Sequence, residues 1–274
     1  DLSQTQVSSV EPLQKLYHLL HLDIDSTAVD DLNPLSGLKN LNFLFADAMK
    51  APREKIREFM FAHPDCLVIY QTQSVADWFA ALPESWKDVF LNAAGISGKP
   101  SRIELQQIVN IREIIIPDNT PIKQLDPLLK MEKLTRLEFS NTQVDQLHVI
   151  SSLVDLEILA FPKNPISDIK PLSGLKNIKE LNMENTQVKD LKYLENLTTV
   201  IKLNISGTTI SNLKPIQKWI RLQELEAYNT RISDLGVLDA MPSLKMLKVF
   251  KTKLSERKVQ KFREAHPACE VTFY

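Results

Sequence analysis

Two consecutive stretches decide the fold: residues 156–177, LEILAFPKNPISDIKPLSGLKN, and residues 178–199, IKELNMENTQVKDLKYLENLTT. Leu156, Leu159 and Phe161 in the first fall where Ile178, Leu181 and Met183 fall in the second. Asn164 and Ile166 likewise match Thr186 and Val188, so the period is 22 residues. A fixed period of this length marks a chain that stacks one structural unit on the next.

Outward from there the grid continues in both directions. Leu134, Leu137 and Phe139 precede Thr142; Val200, Leu203 and Ile205 precede Thr208; Leu222, Leu225 and Ala227 precede Thr230; Leu244, Leu247 and Val249 precede Thr252. Ile111, Ile114 and Ile116 form one more unit before Asn119, with an extra residue ahead of Ile122. A separate set opens the chain, anchored at Thr5, Thr27 and Met49. Apolar residues two apart share one face of a short strand, and a lone strand cannot bury that face. Coils stacked in parallel bury it in one continuous core. The anchor Thr or Asn is expected to satisfy backbone groups of the adjacent coil. Ser167–Leu172 reads as a tight outer turn with Pro171 matching Pro215, and 22 residues leave room there for 3₁₀ turns in place of a full α-helix.

The resulting pattern, L-x-x-L-x-L-x-x-[NT]-x-[IV]-x-D-L-x-P-L, resembles the short bacterial leucine-rich repeat of the internalin type. Ser-Gly-Leu-Lys-Asn occurs at both 36–40 and 173–177. The resemblance implies an α/β solenoid: a right-handed leucine-rich repeat superhelix with a parallel β-sheet on its concave face and short 3₁₀ or irregular convex turns. It implies a surface that binds partners on the concave side, and a secreted or cell-surface bacterial protein. The chain departs from the family in using mostly Thr at the ladder position, and it shows no cell-wall sorting motif and no immunoglobulin-like segment.

A second internal match sets the organisation. Met49–Gln71 aligns without gaps to Thr252–Tyr274, with Ala62-His63-Pro64 and Cys66 recurring as Ala265-His266-Pro267 and Cys269. Each copy reads as a helix and a short strand that close a stack. Between them, Trp78, Phe79, Leu82, Trp86, Val89 and Phe90 recur at helical intervals, Pro83 starts a second helix, and Ser101 with Glu104 forms a capping box. The expected division is therefore 1–71, the end of a first repeat block with its cap; 72–110, a helical linker and N-terminal cap; and 111–274, a second block of seven coils with its cap. The first block enters midway through a repeat at Asp1, so further repeats or a cap are expected upstream.

Composition narrows function. Lys plus Arg is 33 against 34 Asp plus Glu, a net charge of -1, which argues against a phosphate-driven nucleic-acid binder. No apolar run reaches the length of a membrane span. No G-x-G pair, G-x-S-x-G elbow or H-E-x-x-H occurs, so no catalytic residue, metal or cofactor is assigned and the chain reads as a non-enzyme. His63 with Cys66 and His266 with Cys269 are matched cap residues, and two ligands do not complete a zinc site. Function should lie on the outward strand positions. Tyr228 and Phe250 are neighbours on successive coils with Met246 beside them, flanked by Glu184, Glu224 and Glu226 and by Lys248. An aromatic and Met cluster of this kind is enriched at interfaces. These seven are the expected partner-binding residues, with a protein as the partner, a glycan as the lesser ligand and a structural spacer as the rival reading. Phe43 and Phe45 hold similar places beside the first cap, which weighs towards a structural role for such aromatics.

Overall fold

The computed structural model describes residues 1–274, which cluster into two compact units: Asp1–Leu82 with Ala94–Val109, and Pro83–Ala93 with Asn110–Tyr274. None of its helices is long and apolar enough to cross a membrane.

In the first unit, β1 (His21–Asp23), β2 (Phe43–Phe45) and β3 (Leu67–Ile69) form a parallel sheet in which Leu22 pairs with Leu44 and Leu44 with Val68. Helix α1 (Arg53–Ala62) closes this block with Ile56, Phe59 and Met60 buried. Helix α2 (Thr72–Ala81) packs on α4 (Arg102–Val109), and α4 packs on β3. The capping box forms: Ser101 Oγ accepts from Glu104 N at 3.3 Å and Glu104 Oε2 from Ser101 N at 2.7 Å. Those bonds hold the Glu104 carboxyl below its ordinary range. Between these two helices in sequence lies α3 (Glu84–Ala94), nearly all of it in the second unit. There Trp86 is buried against Phe90 and donates Nε1–H to Gln124 O at 3.2 Å.

The second unit is a single parallel sheet of eight strands: β4 (Glu113–Ile116), β5 (Arg136–Phe139), β6 (Ile158–Ala160), β7 (Glu180–Asn182), β8 (Lys202–Asn204), β9 (Glu224–Glu226), β10 (Met246–Lys248) and β11 (Glu270–Thr272). Leu137, Leu159, Leu181, Leu203 and Leu225 pair in register and are all at most 2% exposed, so the expected leucine column is one buried line. Helix α5 (Glu256–Ala265) and β11 supply the closing cap. In both caps the histidine stacks on the phenylalanine one turn earlier, His63 on Phe59 at 4.2 Å and His266 on Phe262 at 4.3 Å. Cys66 and Cys269 are buried free thiols, and burial pushes the Cys269 thiol up from its ordinary value.

The outer side of each coil turns in a short 3₁₀ helix, and the sequence explains where. The Asp or Asn two residues ahead accepts from the backbone of the turn: Asp168 Oδ1 from Lys170 N at 2.8 Å, Asn212 Oδ1 from Lys214 N at 2.9 Å. The following Pro171 or Pro215 presets φ and gives up a donor that the first turn does not need.

The anchors behave differently from expectation. Thr186, Thr208 and Thr230 donate Oγ1–H to the carbonyl three residues back in their own strand, at 2.7 Å. At the anchor the threonine hydroxyl turns back into its own coil, and backbone bonds such as Gln187 N to Ile166 O at 2.9 Å link the neighbouring coils instead. Asn164 does reach across: its Nδ2 donates to Phe139 O at 3.1 Å and its Oδ1 accepts from Thr142 N at 2.9 Å. The residue before each anchor is left-handed, with φ of 52° at Asn141, 53° at Asn185, 68° at Gly207 and 52° at Asn229. Asn tolerates that region better than other side chains. In the first coil of this unit the anchor is Thr120, donating to Pro117 O at 2.6 Å, while Asn119 has φ 64°. The extra residue therefore lies before Asn119, not after it.

Candidate functional site: the open strand face of the second unit

Strands β4 to β10 bury a central leucine or isoleucine and turn the residues on either side of it out. One outward column runs Glu113, Arg136, Ile158, Glu180, Lys202, Glu224, Met246, Glu270; the next runs Ile115, Glu138, Ala160, Asn182, Asn204, Glu226, Lys248, Thr272. The strand register places Glu224, Glu226, Met246 and Lys248 on this face, and Glu184, Tyr228 and Phe250 follow just beyond their strands, Glu184 two coils from Tyr228.

Tyr228 and Phe250 lie ring on ring, 4.6 Å between centroids and 3° between planes. Both are half-buried, not fully exposed, and Phe250 also meets Tyr274 of the cap at 5.9 Å. The Tyr228 phenol donates to Glu184 Oε1 at 2.7 Å, two coils away. Ser206, small and wholly buried, is the residue it passes over. Its hydroxyl lies beside the phenol without a hydrogen bond of good geometry. Burial first, then the Glu184 bond and the charges of Glu184 and Glu226, push the Tyr228 phenol up to about 12, with Ser206 pulling slightly the other way. Tyr228 is therefore a neutral donor at any ordinary pH.

The carboxylates form a connected net. Asn204 Nδ2 lies 3.4 Å from both Glu184 Oε2 and Glu226 Oε2, and Glu226 Oε1 accepts from Lys248 Nζ at 2.8 Å. That bond raises the Lys248 ammonium above its ordinary value against the opposing effect of burial. Lys202 sits between Glu180 at 3.7 Å and Glu224 at 3.6 Å. Lys248 thus pairs with the acidic side instead of forming a separate basic rim. Glutamates outnumber Arg136, Lys202 and Lys248 along the two columns, so the face is acidic on a chain that is nearly neutral overall.

Three contributors escaped the sequence reading. Tyr274 extends the aromatic cluster, Asn204 links two glutamates, and Ile158 with Ala160 on β6 makes a small second apolar patch, parted from Ile115, 57% exposed on β4, by the Arg136–Glu138 pair of β5. Repeat arithmetic does signal the first: Tyr274 ends the column that runs through Glu184, Ser206, Tyr228 and Phe250. The first unit differs. There the Arg102 guanidinium covers the Phe45 ring at 4.6 Å while bonding Asp25 Oδ2 at 2.8 Å, and the Asp47 carboxylate accepts from Thr72 N and Oγ1 at 2.9 and 2.6 Å. Its strand-face groups are engaged within the unit.

No protein-family model and no curated protein matches the sequence. Solved structures do. An internalin from Listeria monocytogenes aligns over 98% of this chain and 73% of its own, with 18% identity and a TM-score of 0.55. Internalin C2 from the same organism aligns over 69% of this chain and 92% of its own, with 21% identity and a TM-score of 0.58. A leucine-rich repeat protein from Leptospira interrogans covers 100% of this chain and 59% of its own, with 18% identity and a TM-score of 0.53. Together with the stacked parallel strands and 3₁₀ turns, these likenesses give the chain the internalin-like bacterial leucine-rich repeat fold.

Proposed function

We propose that this protein is a binding scaffold, not an enzyme, and that it holds a protein partner on the strand face of its second unit. The observation that carries this is the half-open Tyr228–Phe250 stack, fixed by the Glu184 bond and bordered by Glu226 and Lys248, with Glu224 and Met246 farther out on the same two strands. Aromatic side chains held in one geometry lose little freedom on binding, and such residues supply most of the affinity at interfaces. The fold is that of internalins, which supports placing the protein at the surface of a bacterium or outside it.

The test is affinity capture from the exposed proteins of candidate host or neighbour cells, with the intact chain and with the Tyr228→Ala/Phe250→Ala double variant as baits. The reading expects a retained protein whose affinity drops about 30-fold or more in the variant, roughly the loss of one strong hot spot. The thermal transition should stay within a few degrees. A large loss of stability would make the stack structural, and retention of glycans alone would replace the protein partner with a carbohydrate one.

A further inference from the structure

We propose that the partner element seated on this face is a basic helix with an apolar side chain near each end; this rests on the binding-scaffold reading above. The two apolar patches set its length. Ile158 on β6 marks one, and the Tyr228–Phe250 stack at β9 and β10 marks the other. Three and a half strand spacings of about 4.8 Å along the sheet and four residue steps of about 3.3 Å across it separate them, roughly 21 Å. Four turns of α-helix, fourteen residues, cover about 21 Å and return close to the same face.

The width points to the same occupant. From Glu224 to Tyr228 the outward residues of one coil span four steps of about 3.3 Å, some 13 Å across. A single helix with its side chains is about 10–12 Å wide, so one helix laid across the strands fills the trough.

Charge sets the middle. Between the patches lie Glu180, Glu184, Glu224 and Glu226, with Lys202 as the cation among them and Lys248 bonded to Glu226. Lysine or arginine on the facing side of a helix complements this strip, and an acidic helix with the same apolar ends is repelled by it.

The experiment is selection of a random 16-residue peptide display library on the intact chain, with the enriched peptides then measured against variants. Expected are peptides of net positive charge, with two apolar residues fourteen positions apart and gain of helical circular dichroism on binding. Their affinity should fall about tenfold between 0.05 and 0.3 M salt. Glu180→Gln with Glu224→Gln should weaken them three- to tenfold, mainly through slower association. Neutral or acidic peptides, or ones that bind without helix, overturn the inference; if they still fail on Tyr228→Ala/Phe250→Ala, the scaffold reading stands. Peptides indifferent to both variants sink both. Absence of any enrichment overturns the helix proposal, because a trough built for one helix should capture it as a peptide. Thermal transitions of both variants, matching the intact chain, guard each comparison.

Discussion

Asn164 offers a test of how the coils are tied together. Its side chain is 2% exposed and makes bonds in two directions. Oδ1 accepts from Thr142 N at 2.9 Å and Oγ1 at 2.6 Å, while Nδ2 faces Phe139 O, Phe161 O and Pro162 O at 3.0–3.2 Å. Asn164→Ala leaves one buried amide and at least one buried carbonyl without a partner. At about 1–3 kcal/mol for each such group, partly relieved by relaxation, the cost is about 2–4 kcal/mol. Asn164→Thr is different. A threonine hydroxyl there bonds Phe161 O three residues back, and Thr142 is free to bond Phe139 O, as Thr186 and Thr208 already bond their own strands. That exchange should cost under about 1 kcal/mol, within the net worth of a hydrogen bond. Because the chain divides into two units, a local readout isolates this one coil better than a global transition does. Amide hydrogen exchange followed on the peptides spanning 137–144 and 159–166 reports the local free energy. Faster exchange by about 30-fold or more in the Ala variant and near-native exchange in the Thr variant is the expected pair. Equal losses in the two would refute the reasoning, since the bridge itself, not local satisfaction, would then be what the coil requires.

Other outcomes follow from the same geometry. Leu225→Ala, at a fully buried position in the leucine column, should cost about 2–5 kcal/mol in urea unfolding of the second unit while leaving the surface that carries Tyr228 chemically intact. The 295 nm absorbance titration should contain one phenol that ionises near 12 and disappears in Tyr228→Phe; Glu184→Gln should bring it down by removing the bond and the charge, and an unmoved titration would count against the contact. Because the folded value lies above the ordinary 10.0, the stability from this phenol is fully present below pH 10 and is lost as pH rises through 12. Gly207→Ala should destabilise by about 1–3 kcal/mol, since Gly207 has φ 68° and a Cβ there would collide with the Asn185 side chain; a neutral result by thermal melting would show that Asn185 yields freely.

The repeat made the core legible almost in full. Every second position of each short strand is apolar, and only one register of stacking puts Leu137 through Leu225 inside. The tight outer turns were equally readable, because Asp168 and Pro171 act through local backbone bonds that need no knowledge of neighbours. The anchors were misread where a choice of partner mattered. Whether Thr186 bonds its own coil or the next depends on the direction its hydroxyl takes, which a spacing pattern does not carry. The left-handed residue was visible as Asn ahead of the anchor at 141, 185 and 229 but was masked by Lys163 and Gly207 in the same place. At the candidate site the columns followed from the period, whereas the bond from Tyr228 across Ser206 to Glu184 depends on which side chain between them is small.

The contrast between the two units bears on where a partner can be held. The first unit has aromatics on its strand face, and its own residues use them: Arg102 lies over Phe45, and α4 packs on β3. Aromatics near a cap thus serve the fold where a helix of the chain supplies a cover. In the second unit Tyr228 and Phe250 stack on each other and Phe250 meets the cap's Tyr274 at a tilt, yet both stay half-exposed, and Tyr274 itself is 90% exposed. The Glu184, Asn204, Glu226 and Lys248 net holds these rings in place before anything binds. A surface ordered in advance by its own hydrogen bonds gives up little entropy on association, so the same half-burial that lowers the apolar area on offer also lowers the cost of using it.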